Sequence, residues 1–234
     1  AAERFRPPVA DAVNQVRFLL QQRMGFRTVT AHPTGAVPTI RDLELVNELA
    51  SRTGASTIAA VGSGAAVDLA KAAHKEELVL LPATYGASIA AASSHSLIFD
   101  PLQESLMIEP GPEAPPQSFS TTTVVLEERF LDQALKQEAS LAAIGILLDH
   151  SYRESLSEFD WKDAVQNLTH QRAAELMQRA GEALSYGFGS SERSLPLAVA
   201  ASLAPTLFPE HRITSVMASL VPALVNDENV SLEG

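Results

Sequence analysis

The chain has 234 residues, a formal net charge of -11, 46% apolar and 6% aromatic residues, and no cysteine. That acidity argues against nonspecific binding to nucleic acid or insertion into an anionic membrane surface, and no run approaches the ~18 to 20 apolar residues of a transmembrane helix. Without cysteine, disulfides, thiolate zinc sites and cysteine nucleophiles are excluded, and a reducing compartment fits. The expectation is an intracellular, soluble, globular protein with a core of Ala, Leu and Val. The first residues are Ala1-Ala2-Glu3-Arg4 rather than methionine. Trimming or removal of an organelle transit peptide would leave such a start, so the mitochondrial matrix is one compartment compatible with it.

Pro7-Pro8 leads into a helix over residues 9–24, with Val13, Val16, Leu19 and Leu20 on one face and Gly25 as its stop. Residues 27–31 read as a short strand. A proline-marked loop over 32–38 then delivers a second helix, whose start carries Thr39-x-x-Asp42, a capping box with Asp in place of the usual Glu. Ile40, Leu43, Val46, Leu49 and Ala50 keep helical spacing, and Thr53-Gly54 ends the run.

Residues 57–61 are short, apolar and β-branched at both ends, as an interior strand of a parallel sheet should be. Gly62-Ser63-Gly64 follows, and a helix to about His74 starts at once with small residues. The glycines let the backbone turn sharply and let a phosphate approach, and the helix aims its first N–H groups at that turn. Taken alone, the glycine pair is equally compatible with a strand-to-helix turn that binds nothing. A strand over 78–81 comes next. Helices and strands alternating at this interval predict a parallel sheet covered on both faces.

Residues 82–88, Pro82-Ala83-Thr84-Tyr85-Gly86-Ala87-Ser88, read as a small-residue loop at the edge where α/β sheets bind ligands. Residues 94–99 and 105–108 pair as a hairpin around Asp100-Pro101. Pro110, Pro112, Pro115 and Pro116 mark an exposed linker, and residues 122–126 return as a strand. Beyond Glu127 the pattern is helical: a turn-rich segment over 128–138, a buried helix over 139–150, and a long helix from an Asp160 cap to Leu184. Apolar helices over 195–207 and 211–224 complete a bundle. The predicted fold class is therefore α/β followed by all-α. Residues 1–126 form a parallel-sheet, dinucleotide-binding-like domain with a hairpin and proline-rich insertion over 94–117, and residues 127–234 form a helical domain.

Several stretches together resemble the iron-containing alcohol dehydrogenase family, with glycerol dehydrogenases, maleylacetate reductases and dehydroquinate synthases as relatives. Its G-G-G-S-x-x-D-x-x-K turn is similar to the run from Gly62 through Asp68 to Lys71, with Ser63 at the second glycine and Ala65 at the serine. Its P-T-T-x-x-G-S-E loop resembles the run from Pro82 to Ile89, closest to the tyrosine-bearing form of maleylacetate reductases, with Ile89 at the final acid. Pro38-Thr39 matches the P-T before its second helix. The resemblance implies NAD or NADP bound in the first domain, its pyrophosphate on Gly62, Ser63 and Gly64. Thr84 and Tyr85 would lie near the nicotinamide, and Asp68 and Lys71 would be pocket residues.

The resemblance also implies iron or zinc held by one Asp and three His in the helical domain. Here the sequence departs. With Gly145 aligned, the first ligand pair falls on Leu147 and Ser151. Asp149-His150 is adjacent, so its side chains diverge by about 100° on a helix. The stretch over 187–208 holds no histidine, leaving His211, and a catalytic divalent ion needs about three protein ligands. The expectation is therefore no metal site. His32, His74, His95 and His170 lack partners arranged for nucleophilic catalysis, and Glu127, Glu128, Glu138, Glu154 and Glu158 read as a solvated face. The family's leading strand has no counterpart, and the last helices stop early. Two readings follow. One is a degenerate, non-catalytic subunit that binds protein partners in an oligomer or larger complex, with no cofactor. The other is a metal-independent NAD(P)H-dependent reductase.

Overall fold

The computed structural model describes residues 7–35, 37–73, 77–102, 105–109, 121–154, 170–189, 214 and 216–221. The expected helices over 195–207 and the Asp160 cap lie outside them, as do His74, His211 and the proline-rich linker.

Helix α1 spans Pro7–Phe18. Its first turn holds two prolines, whose missing N–H groups would have no helical partner there in any case. The helix then widens into one π turn, Leu19–Arg23, and stops at Gly25 with φ +72°. Residues 24–33 have no regular structure, which corrects the strand expected over 27–31. Met24, Phe26 and Val29 are exposed. With no ladder and no buried face, β-branched composition alone does not make a strand.

Helix α2, Ile40–Thr53, begins as its sequence predicts: Thr39 Oγ1 accepts from Asp42 N, and Asp42 Oδ2 accepts from Thr39 N. Asp42 also accepts from the Thr34 backbone and hydroxyl, so one buried carboxylate fixes both the helix start and the loop before it. Gly54, φ +66°, closes the helix.

Strand β1 is Thr57–Gly62, helix α3 Gly64–Ala72, strand β2 Glu77–Pro82 and helix α4 Tyr85–Ala92. Strands β3, Ser96–Asp100, and β4, Ser105–Glu109, pair antiparallel as the expected hairpin. Strand β5 is Thr121–Val124. The sheet has the order β1-β2-β5, with both ladders parallel; Thr57 lies opposite Glu77 and Gly62 opposite Pro82. The parallel α/β reading therefore holds. The hairpin is tied to the start of α2, because Phe99 N donates to Pro38 O.

Helix α4 corrects the loop expected over 82–88. Thr84 Oγ1 accepts from Ala87 N, and this cap starts a helix in a run of small residues. Two short 3-10 turns, Glu128–Phe130 and Gln133–Leu135, lead into α5, Lys136–Glu154; α6 is His170–Gly189. A small core joins Ala60, Leu78 and Leu80 of the sheet to Val67, Ala70, Ala87 and Ala91. A larger one joins Tyr85, Ile89 and Leu97 to Ile144, Ile146 and Leu147 of α5 and Leu176, Met177 and Leu184 of α6. Burying each large apolar side chain here contributes about 1.5–3 kcal/mol.

Candidate functional site

Parallel strands leave their C-terminal ends at one edge of the sheet, and the turns leaving β1 and β2 meet there. Ala83 N donates to Gly62 O at 2.9 Å, so the two turns are hydrogen-bonded neighbours. Asp132 N donates to Ala83 O at 3.0 Å and Val125 N to Leu80 O at 2.8 Å, which brings the segment after β5 under the same edge.

At Gly62 φ is +141°, a value that only glycine adopts without strain. Space is not the constraint, since an added Cβ would meet Val9 Cγ1 at 3.7 Å and Ala66 Cβ at 3.8 Å. Ser63 is exposed and extended, and its side chain makes no cap hydrogen bond to α3. Its carbonyl accepts from Ala66 N and Val67 N. Gly64 has ordinary room: a Cβ would lie 3.8 Å from Ala90 Cβ. The N-terminus of α3 is thus not capped by its own N-cap side chain, whereas that of α4 is closed by Thr84.

The remaining expected site residues point elsewhere. Tyr85 is fully buried, and its hydroxyl exchanges hydrogen bonds with the Gln133 amide at 3.1 and 3.2 Å. Asp68 and Lys71 sit on the inner face of α3 as an ion pair at 3.6 Å. Lys71 Nζ donates to Ala90 O at 2.6 Å, to Ser93 O at 2.9 Å and to His95 O. Burial pushes the Asp68 carboxyl up to about 6, against the pull of Lys71 and of the Leu97 N–H. Burial likewise lowers the Lys71 pKa, with Asp68 opposing. His95 is held low by burial and then by the Lys71 charge, and its Nδ1 lies 3.0 Å from Ser94 Oγ.

The structure therefore brings Gly62, Ser63, Gly64 and Thr84 together at the sheet edge and turns Asp68, Lys71 and Tyr85 into the protein. Two residues that sequence reasoning did not single out complete the edge. Gln133 holds Tyr85, and Asp132, buried, caps its own 3-10 turn through Ala134 N. The Asp132-x-Ala134 spacing was the available signal for the second.

For the metal, the aligned position Leu147 is buried in the larger core and offers no donor atom. Among the described residues no three His, Asp or Glu side chains are grouped to hold an ion. The His150 side chain and His211 lie outside what the structure describes. No helix among the described residues is long and apolar enough to cross a membrane.

No protein-family model matches the sequence, and no curated protein is similar to it in sequence. Solved structures do match. An iron-containing alcohol dehydrogenase from Thermotoga maritima superposes with a TM-score of 0.60 at 15% identity, over 92% of this chain and 66% of that one. Maleylacetate reductase from Agrobacterium tumefaciens gives 0.60 at 16% identity, over 92% and 64%. Sulfoacetaldehyde reductase from Bifidobacterium kashiwanohense, solved with NAD+, gives 0.62 at 13%, over 96% and 68%. At such identities the likeness is one of fold: this chain has the fold of the iron-containing alcohol dehydrogenases and maleylacetate reductases. It spans about two thirds of the length of these proteins.

Proposed function

We propose that this chain is a non-catalytic protein on an alcohol dehydrogenase fold, acting as a structural or interaction subunit of an oligomer or larger assembly. The observation that carries this reading is the fate of three polar side chains. Asp68, Lys71 and Tyr85 would serve a pocket by family resemblance, yet Asp68 and Tyr85 are buried, Lys71 is nearly so, and each is bonded within the protein. Groups used in this way do not meet a substrate without rearrangement. The test is turnover: the purified chain is assayed with NADH and NADPH against maleylacetate and simple aldehydes, with and without Fe(II) or Zn(II). No rate above background is expected, and light scattering or cross-linking of the native material should show a complex. Cofactor-dependent reduction of any of these carbonyls would overturn the reading.

One observation favours a second reading, an NAD(P)H-dependent reductase of the maleylacetate reductase type. The Gly62 turn keeps its positive φ, and the α3 N-terminus beside it is not closed by Ser63. Backbone N–H groups there suit a pyrophosphate, and the place, at the C-terminal edge of the strands, suits a dinucleotide. Gly62, Ser63, Gly64 and Thr84 would hold the cofactor, which supplies a hydride when bound. Calorimetric titration with NADH and NADPH decides this reading, and a flat isotherm ends it.

A further inference from the structure

The surroundings of Lys71 are those of a small cation. Its ammonium has three protons and no acceptor, and three backbone carbonyls take them: Ala90 O, Ser93 O and His95 O. Asp68 Oδ1 stands off at 3.6 Å and supplies charge rather than a close bond. Three carbonyls and one carboxylate, all oxygen, form a donor set that hard monovalent cations share with an ammonium. The contacts of 2.6 and 2.9 Å fit an ion of ammonium or potassium size.

The carbonyls also have a reason to need a cation. Ala90 lies in the last turn of α4 and Ser93 is its C-cap, where helix carbonyls lack intrahelical partners and the dipole is negative. Lys71, reaching over from α3, supplies what α4's own last turn lacks, since it has no basic residue. The next residue continues the joint, because Ser94 N donates to Ser185 Oγ of α6 at 2.7 Å. Sheet-side helix and hairpin entry therefore converge on one ammonium, and the bundle helix is bonded to the neighbouring Ser94.

We propose that the oxygen cage formed by Ala90, Ser93, His95 and Asp68 is a monovalent-cation site that the chain fills with its own lysine, and that this tethered cation fastens α3 to the end of α4 and thereby to α6. Removing the side chain exposes a site selective for free ammonium or potassium. The proposal is independent of whether a dinucleotide binds at the Gly62 turn.

The test compares the wild type with Lys71→Ala and Lys71→Met, following thermal unfolding in tetramethylammonium, sodium, potassium, ammonium and ethylammonium chlorides at about 200 mM each. Wild type should be indifferent to which cation is present. Lys71→Ala should melt about 5–10 °C lower in tetramethylammonium, and potassium, ammonium or ethylammonium should restore half or more of that loss. Lys71→Met fills the space with apolar atoms and should lose stability without any cation selectivity. Equal melting of Lys71→Ala in all five salts overturns the proposal. So does a chain that stays unfolded in ammonium and ethylammonium while Lys71→Met folds, because the site would then not accept a free cation.

Discussion

Gly181 of α6 lies directly against Ala92 of α4: a Cβ on Gly181 would come within 2.6 Å of the Ala92 Cβ and 3.0 Å of Ser93 N, and closer still to Ile89 O. Neither backbone nor a Cβ can swing aside, so the two helices would have to separate. Gly181→Ala should therefore destabilise the protein by about 2–3 kcal/mol, despite alanine's better helix propensity. At Gly86 the obstacle is a side-chain methyl, Thr214 Cγ2 at 2.7 Å. Gly86→Ala should cost less, within about 1 kcal/mol of wild type. Urea unfolding of the two variants checks the order, and a costlier Gly86→Ala would contradict it.

The Gly62 turn separates backbone strain from ligand contact. Gly62→Ala places a Cβ at φ +141° and should cost about 1–3 kcal/mol. Gly64→Ala meets only Ala90 Cβ at 3.8 Å and should leave stability within about 0.5 kcal/mol. If NAD(P)H binds on this turn, Gly64→Ala should weaken it at least about tenfold by blocking close approach. A variant with unchanged stability and unchanged cofactor affinity would place the dinucleotide elsewhere.

Asp42 is worth more than an ordinary helix cap. Its Oδ2 accepts from Thr39 N, Thr39 Oγ1, Thr34 N and Thr34 Oγ1. Asp42→Ala strands these donors near the start of α2 and should cost about 2–4 kcal/mol. Thr39→Val should cost only about 1 kcal/mol, since the carboxylate and its other partners remain. Equal losses in chemical denaturation would show that the carboxylate acts only as a cap.

The pH dependence of Asp68 runs against the habit of paired carboxylates. Its folded pKa, about 6, lies above the ordinary 3.8, so the folded state binds the proton more tightly than the unfolded chain does. Burial of the charged form thus penalises folding above pH 6, and the penalty is relieved as pH falls from about 6 toward 4. The window is worth about 2–3 kcal/mol. Asp68→Asn lacks this titration, so the stability of wild type relative to Asp68→Asn should rise between pH 7 and pH 5. A difference that is flat with pH, or that falls, would show that the carboxyl is not held up by burial.

Local signals made much of the fold readable in the sequence. The box at Thr39 and Asp42, the β-branched run into Gly62 and the hairpin around Asp100-Pro101 each carry their chemistry within a few residues. Helix α4 was not readable, because its residues are nearly all small and show no apolar stripe. What holds it is Thr84 at one end and the close approach of Gly181 along its length, a contact made from about 90 residues away. The segment over 27–31 failed for the converse reason: it has strand-forming residues, but a ladder is a tertiary event. Within the site, the backbone turn was legible and the side chains were not. Asp68 and Lys71 share one face of α3 by spacing alone. That the face looks inward is decided by α4 and the start of β3, which no local pattern encodes.

The bond from Ala83 N to Gly62 O couples the two edge turns mechanically. A ligand or partner surface that displaces either loop must carry the other with it, and with it the Thr84 cap and the buried ring of Tyr85. The Tyr85 hydroxyl resonance should then act as a built-in gauge of events at Gly62, even for a binder that never touches Tyr85.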